Sequence, residues 1–153
     1  MIKINVISEN IGWKRYFKDP NTYFKKKLKK FNKKIKIFQK KKFVCTILLT
    51  DDKHIKKLNK KFRNKNKSTD VLSFPFYEKK EFIEKINTEN EVYLGDIIIN
   101  LSKIKSRDLK KFQKEFNILW IHGLVHLLGY DHKSESDFLK MTKIEKEFLS
   151  HII

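Results

Sequence analysis

Phe43-Val-Cys-Thr-Ile-Leu-Leu-Thr50 is a run in which only two side chains, Thr46 and Thr50, are polar. A stretch this continuous in apolar and β-branched residues reads as a strand buried on both sides, so the chain around it must supply a layer for each face. On the N-terminal side, residues 2–7 (Ile-Lys-Ile-Asn-Val-Ile) alternate and read as a first strand. Residues 10–19 form a connection, with a short helix around Trp13 and Phe17. Pro20 opens a helix expected over residues 20–38, whose stripe Phe24, Leu28, Phe31, Ile35 and Phe38 recurs at spacings of four and three. On the C-terminal side, Asp51 or Asp52 caps a helix with the stripe Ile55, Leu58 and Phe62. Residues 64–67 form a basic loop, and Thr69-Asp-Val-Leu-Ser-Phe74 reads as a third strand ended by Pro75.

Residues 77–91 carry five glutamates and read as a long loop. Residues 92–99 read as a fourth strand, interrupted by Gly95-Asp96. A helix over 102–128 follows, broken around 107–111, and Phe138, Met141, Ile144 and Phe148 mark a closing helix. Strands and helices alternate with no linker or repeat, which gives one domain over residues 1–153, of class α/β or α+β around a four-stranded sheet.

The chemistry concentrates at His122-Gly-Leu-Val-His126-Leu-Leu-Gly129-Tyr-Asp-His132, which holds three of the chain's five histidines. His122 and His126 are four apart on an apolar helical run, offset by only about 40°, so both rings leave the same face. Gly129 can take the left-handed conformation that stops a helix, and the chain then brings His132 back toward the first two. Three neutral nitrogen donors around one point match a catalytic zinc site with its fourth position open to water. Iron, nickel and copper also accept imidazole, which makes zinc the first choice rather than the sole one. The spacing matches the elongated zinc signature of metzincin proteases, except that Gly123 stands where those enzymes keep a glutamate base. That departure argues against proteolysis.

The formal charge is +18, from 36 basic and 18 acidic residues. Such a balance favours a polyanion partner. The chain also lacks alanine, has four glycines and uses lysine almost everywhere arginine could stand, as an AT-rich genome would dictate, and the lysines of the 20–38 helix read most simply as a solvated face. Among only three arginines, Arg63 is either a phosphate ligand or a surface residue. Asp70 and Asp96 either orient imidazoles or satisfy strand-end amides. Asp131 organises the loop before His132, while His54 and His151 read as solvated. Cys45 is the single cysteine, so neither an internal disulfide nor a thiolate zinc site is expected, and no disulfide-linked partner. The start of the chain lacks a signal-peptide core and no run is long enough to span a membrane, so the expected location is cytoplasmic.

Several separated blocks, in order, resemble the YbeY family of bacterial endoribonucleases: Leu58-Asn59 with Arg63, Thr69-Asp-Val-Leu-Ser-Phe-Pro75, Leu94-Gly-Asp-Ile97, the histidine block, and Met141 with Glu145. The resemblance covers nearly all of the chain after about residue 43. It implies an α+β domain with a mixed four-stranded sheet, surrounding helices and a zincin-like metal site. It further implies one Zn2+ held by His122, His126 and His132, and a functional Arg63 in a basic cleft beside the metal. The implied substrate is single-stranded RNA, in maturation of the 3′ end of small-subunit ribosomal RNA and in ribosome quality control, with the small ribosomal subunit as partner in the cytoplasm. Two other readings stand beside it: a metal-dependent peptidase or amidase, and a non-catalytic ribosome assembly factor.

Overall fold

The hydrogen-bonding pattern of the strands sets the architecture. In the computed structural model, which describes residues 1–152, β1 (Ile2–Ser8), β2 (Lys42–Thr50), β3 (Val71–Pro75) and β4 (Glu91–Asn100) form one sheet in the order β1-β2-β4-β3. The β1/β2 and β2/β4 pairs are parallel and β3 runs antiparallel to β4 on the outer edge, so the sheet is mixed. Six helices complete an α+β domain: α1 (Pro20–Lys34), α2 (Lys36–Lys40), α3 (Asp52–Arg63), α4 (Lys79–Thr88), α5 (Leu109–Leu127) and α6 (Glu135–Ser150).

The two faces of the sheet are covered unequally. Phe43, Cys45, Ile47 and Leu49 of β2 point into the main core, with Val92, Leu94, Ile97 and Ile99 of β4 beside them. Helices α1, α2, α5 and α6 seal this face with an aromatic cluster that includes Phe24, Phe31, Phe38, Phe116, Trp120 and Phe148. The opposite face carries only α3, and its core is small: Ile55, Leu72 and Ile98, with Leu48, Leu58 and Phe74 packed around them. Val44, Thr46 and Leu48 are therefore half-buried, and the run 43–50 is not enclosed on both sides as its apolar continuity suggests.

Other differences from the sequence reading have local causes. The helix expected over 20–38 breaks at Ile35, which is extended (φ −89°, ψ 115°) and buried. The chain must turn there to begin β2 beside β1, where the Phe43 amide donates to Met1 O at 2.8 Å. Residues 77–91 are not a loop throughout, because Phe82 and Ile86, four apart, pack against the core and make α4. Its i,i+4 pair Lys85–Glu89 lies at 3.8 Å. Phe62, expected in the α3 stripe, is 60% exposed, and Asn59 is the buried residue of that turn. Phe138 is likewise exposed in α6. Residues 104–108 separate a short 3-10 turn at Leu101–Lys103 from α5, which starts after Asp108 accepts from the Lys111 amide at 3.0 Å.

Gly95 explains the interruption of β4. Cys45 pairs with Gly95 directly after Val44 pairs with Tyr93, which leaves Leu94 as an extra residue, a β-bulge. The bulge resets the phase of the strand, so that Leu94 and Ile97, three apart, both face the core. Gly95 sits at φ 130°, and a Cβ there would lie 2.1 Å from Phe74 O. Only glycine lets the edge strand β3 approach at this point.

Candidate metal centre

Two turns near the end of α5 supply the first two histidines, and their ring centroids lie 4.6 Å apart. Gly129 takes φ 97°, and the amides of Gly129 and Tyr130 close the helix end on His126 O and Val125 O at 2.9 and 3.3 Å. This left-handed stop turns the chain back, and Asp131 pins the next step by accepting the His132 amide at 2.8 Å. One ring nitrogen from each of His122, His126 and His132 then lies within 4.8 Å of the others.

The hydrogen bonds on the far side of the rings decide which nitrogens face inward. His126 Nδ1 meets Tyr130 O at 2.9 Å, and a carbonyl can only accept, so Nδ1 carries the proton. His122 Nδ1 meets Glu145 Oε1 at 2.6 Å, where a carboxylate likewise only accepts, so this Nδ1 also carries its proton. Both Nε2 atoms are left as bare acceptors, 3.1 Å apart. Nitrogen donors bound tetrahedrally to zinc stand about 3.3 Å from one another. Two facing lone pairs at this separation repel unless a cation lies between them, so the donor set fits a divalent metal. Burial first, and then the neighbouring His122, lower the pKa of His126, which keeps it in the neutral form that ligates.

Glu145, from α6, is the residue for which sequence reasoning assigned no role. Its spacing after Met141 was visible, but its partner His122 is 23 positions away, and no local pattern encodes such a contact. Asp70 and Asp96, the two carboxylates considered for orienting imidazoles, do other work. Asp70 accepts from the Val71 amide at 2.8 Å, and Asp96 accepts from the Tyr93 hydroxyl at 2.6 Å on the open face of the sheet. His54 is not simply solvated either: its Nδ1 lies 3.1 Å from Thr50 Oγ1 and pairs with Glu9.

Gly123 has a structural reason. A Cβ at that position would lie 2.7 Å from Ile97 Cγ2, because α5 packs closely on β4 there. The position that holds a glutamate in the metzincin signature therefore faces the sheet in this fold and has no room for one.

A cleft of about 850 Å³ runs past the histidines along the edge strand β3. Arg63 enters it from the last turn of α3, which ends at Asn64 in a left-handed cap (φ 55°). Its Nη2 donates to Ser73 O at 2.7 Å and its guanidinium carbon sits 5.4 Å from the centre of the Phe74 ring. The structure thus brings Arg63 and the three histidines to one cleft, from opposite faces of the sheet. The cleft is not uniformly basic: Arg63 and Lys79 stand against Asp70, Glu78 and Asp131. Among the described residues, no helix is long and apolar enough to cross a membrane.

The family model described as Endoribonuclease YbeY matches residues 9–153. The chain belongs to this family. The match extends well upstream of the blocks that carry the resemblance in the sequence. Endoribonuclease YbeY of Pelagibacter ubique is 49% identical over 148 residues, covering 95% of this chain and 92% of that protein. The namesake in Caldicellulosiruptor bescii is 40% identical over 116 residues, 71% and 73% of the two chains. The solution structure of a Thermotoga maritima protein shares the fold, with a TM-score of 0.58 at 27% identity over 99% of this chain and 89% of that one.

Proposed function

We propose that this protein is a zinc-dependent endoribonuclease of single-stranded RNA, acting on the 3′ end of small-subunit ribosomal RNA and in ribosome quality control. Membership of the YbeY endoribonuclease family supports the RNA-cleaving role in ribosomal RNA processing. The observation that supports metal-dependent chemistry is the convergence of the unprotonated His122 and His126 nitrogens, with His132 and Arg63, on one cleft. We assign His122, His126 and His132 as metal ligands and Arg63 as a catalytic residue that holds the scissile phosphate, with the whole of residues 1–153 acting as one catalytic domain. Zinc held by those three histidines would supply Lewis acidity, lowering the pKa of a water and polarising a phosphoryl oxygen.

The chain's own groups then divide the remaining work. Glu145 and Tyr130 O accept the Nδ1–H hydrogen bonds and fix both rings, so two of the three donors are oriented before any ligand arrives. One edge of the Arg63 guanidinium is anchored on Ser73 O, which leaves its other N–H groups to a phosphate, a planar fork suited to two oxygens. The same contact counts against a peptidase. An extended peptide beside β3 needs the edge carbonyls as partners, yet Arg63 occupies that of Ser73, and Pro75 has no amide to offer. The cytoplasm and the small ribosomal subunit are the setting and partner this activity requires.

Incubation of single-stranded RNA with the wild type and with identically purified His126→Ala and Arg63→Ala variants tests the proposal. Cleavage by the wild type, restored by Zn2+ after chelation and absent from both variants, is expected. Equal cleavage by His126→Ala overturns it. Cyclic phosphate ends on the products would assign the attack to the ribose 2′-hydroxyl, and their absence in the earliest products to water.

A further inference from the structure

Phe76 lines the cleft and is 61% exposed, yet both its backbone and its ring have defined neighbours. Its amide donates to Leu94 O at 3.0 Å, directly beside the bulge where Gly95 lets β3 come close. Its ring packs against two neighbours at near-perpendicular angles, Tyr77 at 4.9 Å (87°) and Tyr93 at 5.3 Å (81°). An apolar ring so fixed and left open to solvent has lost its freedom without burying its surface. It therefore presents a preorganised π-surface to whatever enters the cleft.

The charges of the cleft indicate what that surface is for. The side chains of the cleft set two cations against three carboxylates, and even with the divalent ion assigned to the histidines the groove is only weakly positive, whatever the net charge of the whole chain. Contacts to the bases add affinity that so weak a field does not supply. Base stacking on an aromatic side chain is worth about 1–3 kcal/mol and tolerates any base, because every base has a π-face. It is available only where the base is not already stacked in a duplex.

We propose that Phe76 is the base-binding wall of the cleft: it stacks an unpaired base of the RNA whose backbone passes Arg63 and the histidines, and thereby selects single strands. This rests on the RNA reading above. Tyr130, 40% exposed on the metal loop, lines the same cleft on the histidine side.

Binding of a fluorescent twelve-nucleotide 2′-O-methyl strand, which blocks attack by the 2′-hydroxyl, is measured by anisotropy with the Zn2+-loaded protein, and the strand is checked on a gel to be intact. A strand of equal length built of stable abasic residues serves as the control. Phe76→Ala is expected to bind the base-bearing strand about 5- to 150-fold more weakly than the wild type, the range that the stacking energy implies. It should bind the abasic strand as the wild type does. Phe76→Trp is expected to restore binding. Because Trp13 and Trp120 are buried and out of reach of a base, quenching relative to the wild type reports on position 76, and the base-bearing strand alone should produce it. Equal affinity of Phe76→Ala and the wild type for the base-bearing strand overturns the assignment, as does an equal loss on both strands. A wild type that binds neither strand overturns the RNA reading itself, and this inference with it.

Discussion

The two faces of the sheet do different jobs. One is sealed by four helices and an aromatic cluster in which Trp120, Phe31 and Phe112 are fully buried. The other is roofed by α3 alone over three buried apolar residues, leaving a groove of about 400 Å³ beside Leu58, Phe62 and Phe74. Apolar packing holds the first. On the second, polar ties do much of the holding: Asp51 accepts from Asn10 Nδ2 at 3.2 Å, and Asn100, fully buried, donates to Asp52 at 3.0 Å and to Thr69 O at 3.1 Å. The site spans both, since His122 and His126 ride on a helix of the sealed face, with His132 on the loop that follows it, and Arg63 on the lone helix of the open one. The histidine geometry is therefore anchored in the main core, while Arg63 hangs on a lighter attachment.

Truncation on the sealed face should have the largest effect. Trp120→Ala removes a fully buried ring and is expected to cost about 3–5 kcal/mol in denaturant unfolding, as large aromatic truncations in cores do. A loss below 1 kcal/mol would mean that the aromatic cluster is not what holds the domain. Next, Glu145→Ala should weaken zinc binding about 10- to 100-fold by freeing the His122 ring, with far-UV circular dichroism unchanged. Unaltered affinity in a competition titration with a chromophoric chelator would remove Glu145 from the site.

On the open face the effects should be smaller. Asp51→Ala strips the α3 cap, whose carboxylate accepts the His54 amide at 2.9 Å, and is expected to cost about 1 kcal/mol. That difference has a pH signature. The hydrogen bond from the His54 amide, then that from Asn10, hold the Asp51 pKa below 3.8, so its contribution is present above 3.8 and fades as pH falls through the lower folded value. Wild type and variant should converge in strong acid, and a gap that persists there would assign the effect to something other than the ionised cap. Phe62→Asn, at a 60% exposed position, should change stability by no more than about 0.5 kcal/mol. A larger loss in thermal melts would show that the groove is closed by Phe62 in solution and that the two faces are less unequal than the packing indicates.

What was legible in the sequence followed from local periodicity. The i,i+4 histidines, the Gly129 stop and the four strands are all patterns within a dozen residues, and the structure places them as expected. Phe62 and Phe138 have the right spacing for a buried stripe but are exposed, because spacing only says which residues share a helix face; Ile35 is buried as its spacing suggests, and only the continuity of its helix fails. In α4, Phe82 and Ile86 were masked by glutamates that the helix turns to solvent.

By itself, then, the chain determined its alternation of elements, the three-histidine cluster and the absence of a glutamate after His122, because backbone stereochemistry and residue type act over a few positions. Only the tertiary structure decided that Glu145 orients His122, that Arg63 reaches round an edge strand to the same cleft, and that Gly123 is a packing requirement of Ile97. Those are contacts between elements far apart in the chain, and their distances depend on how the sheet is covered, which no local pattern of residues specifies.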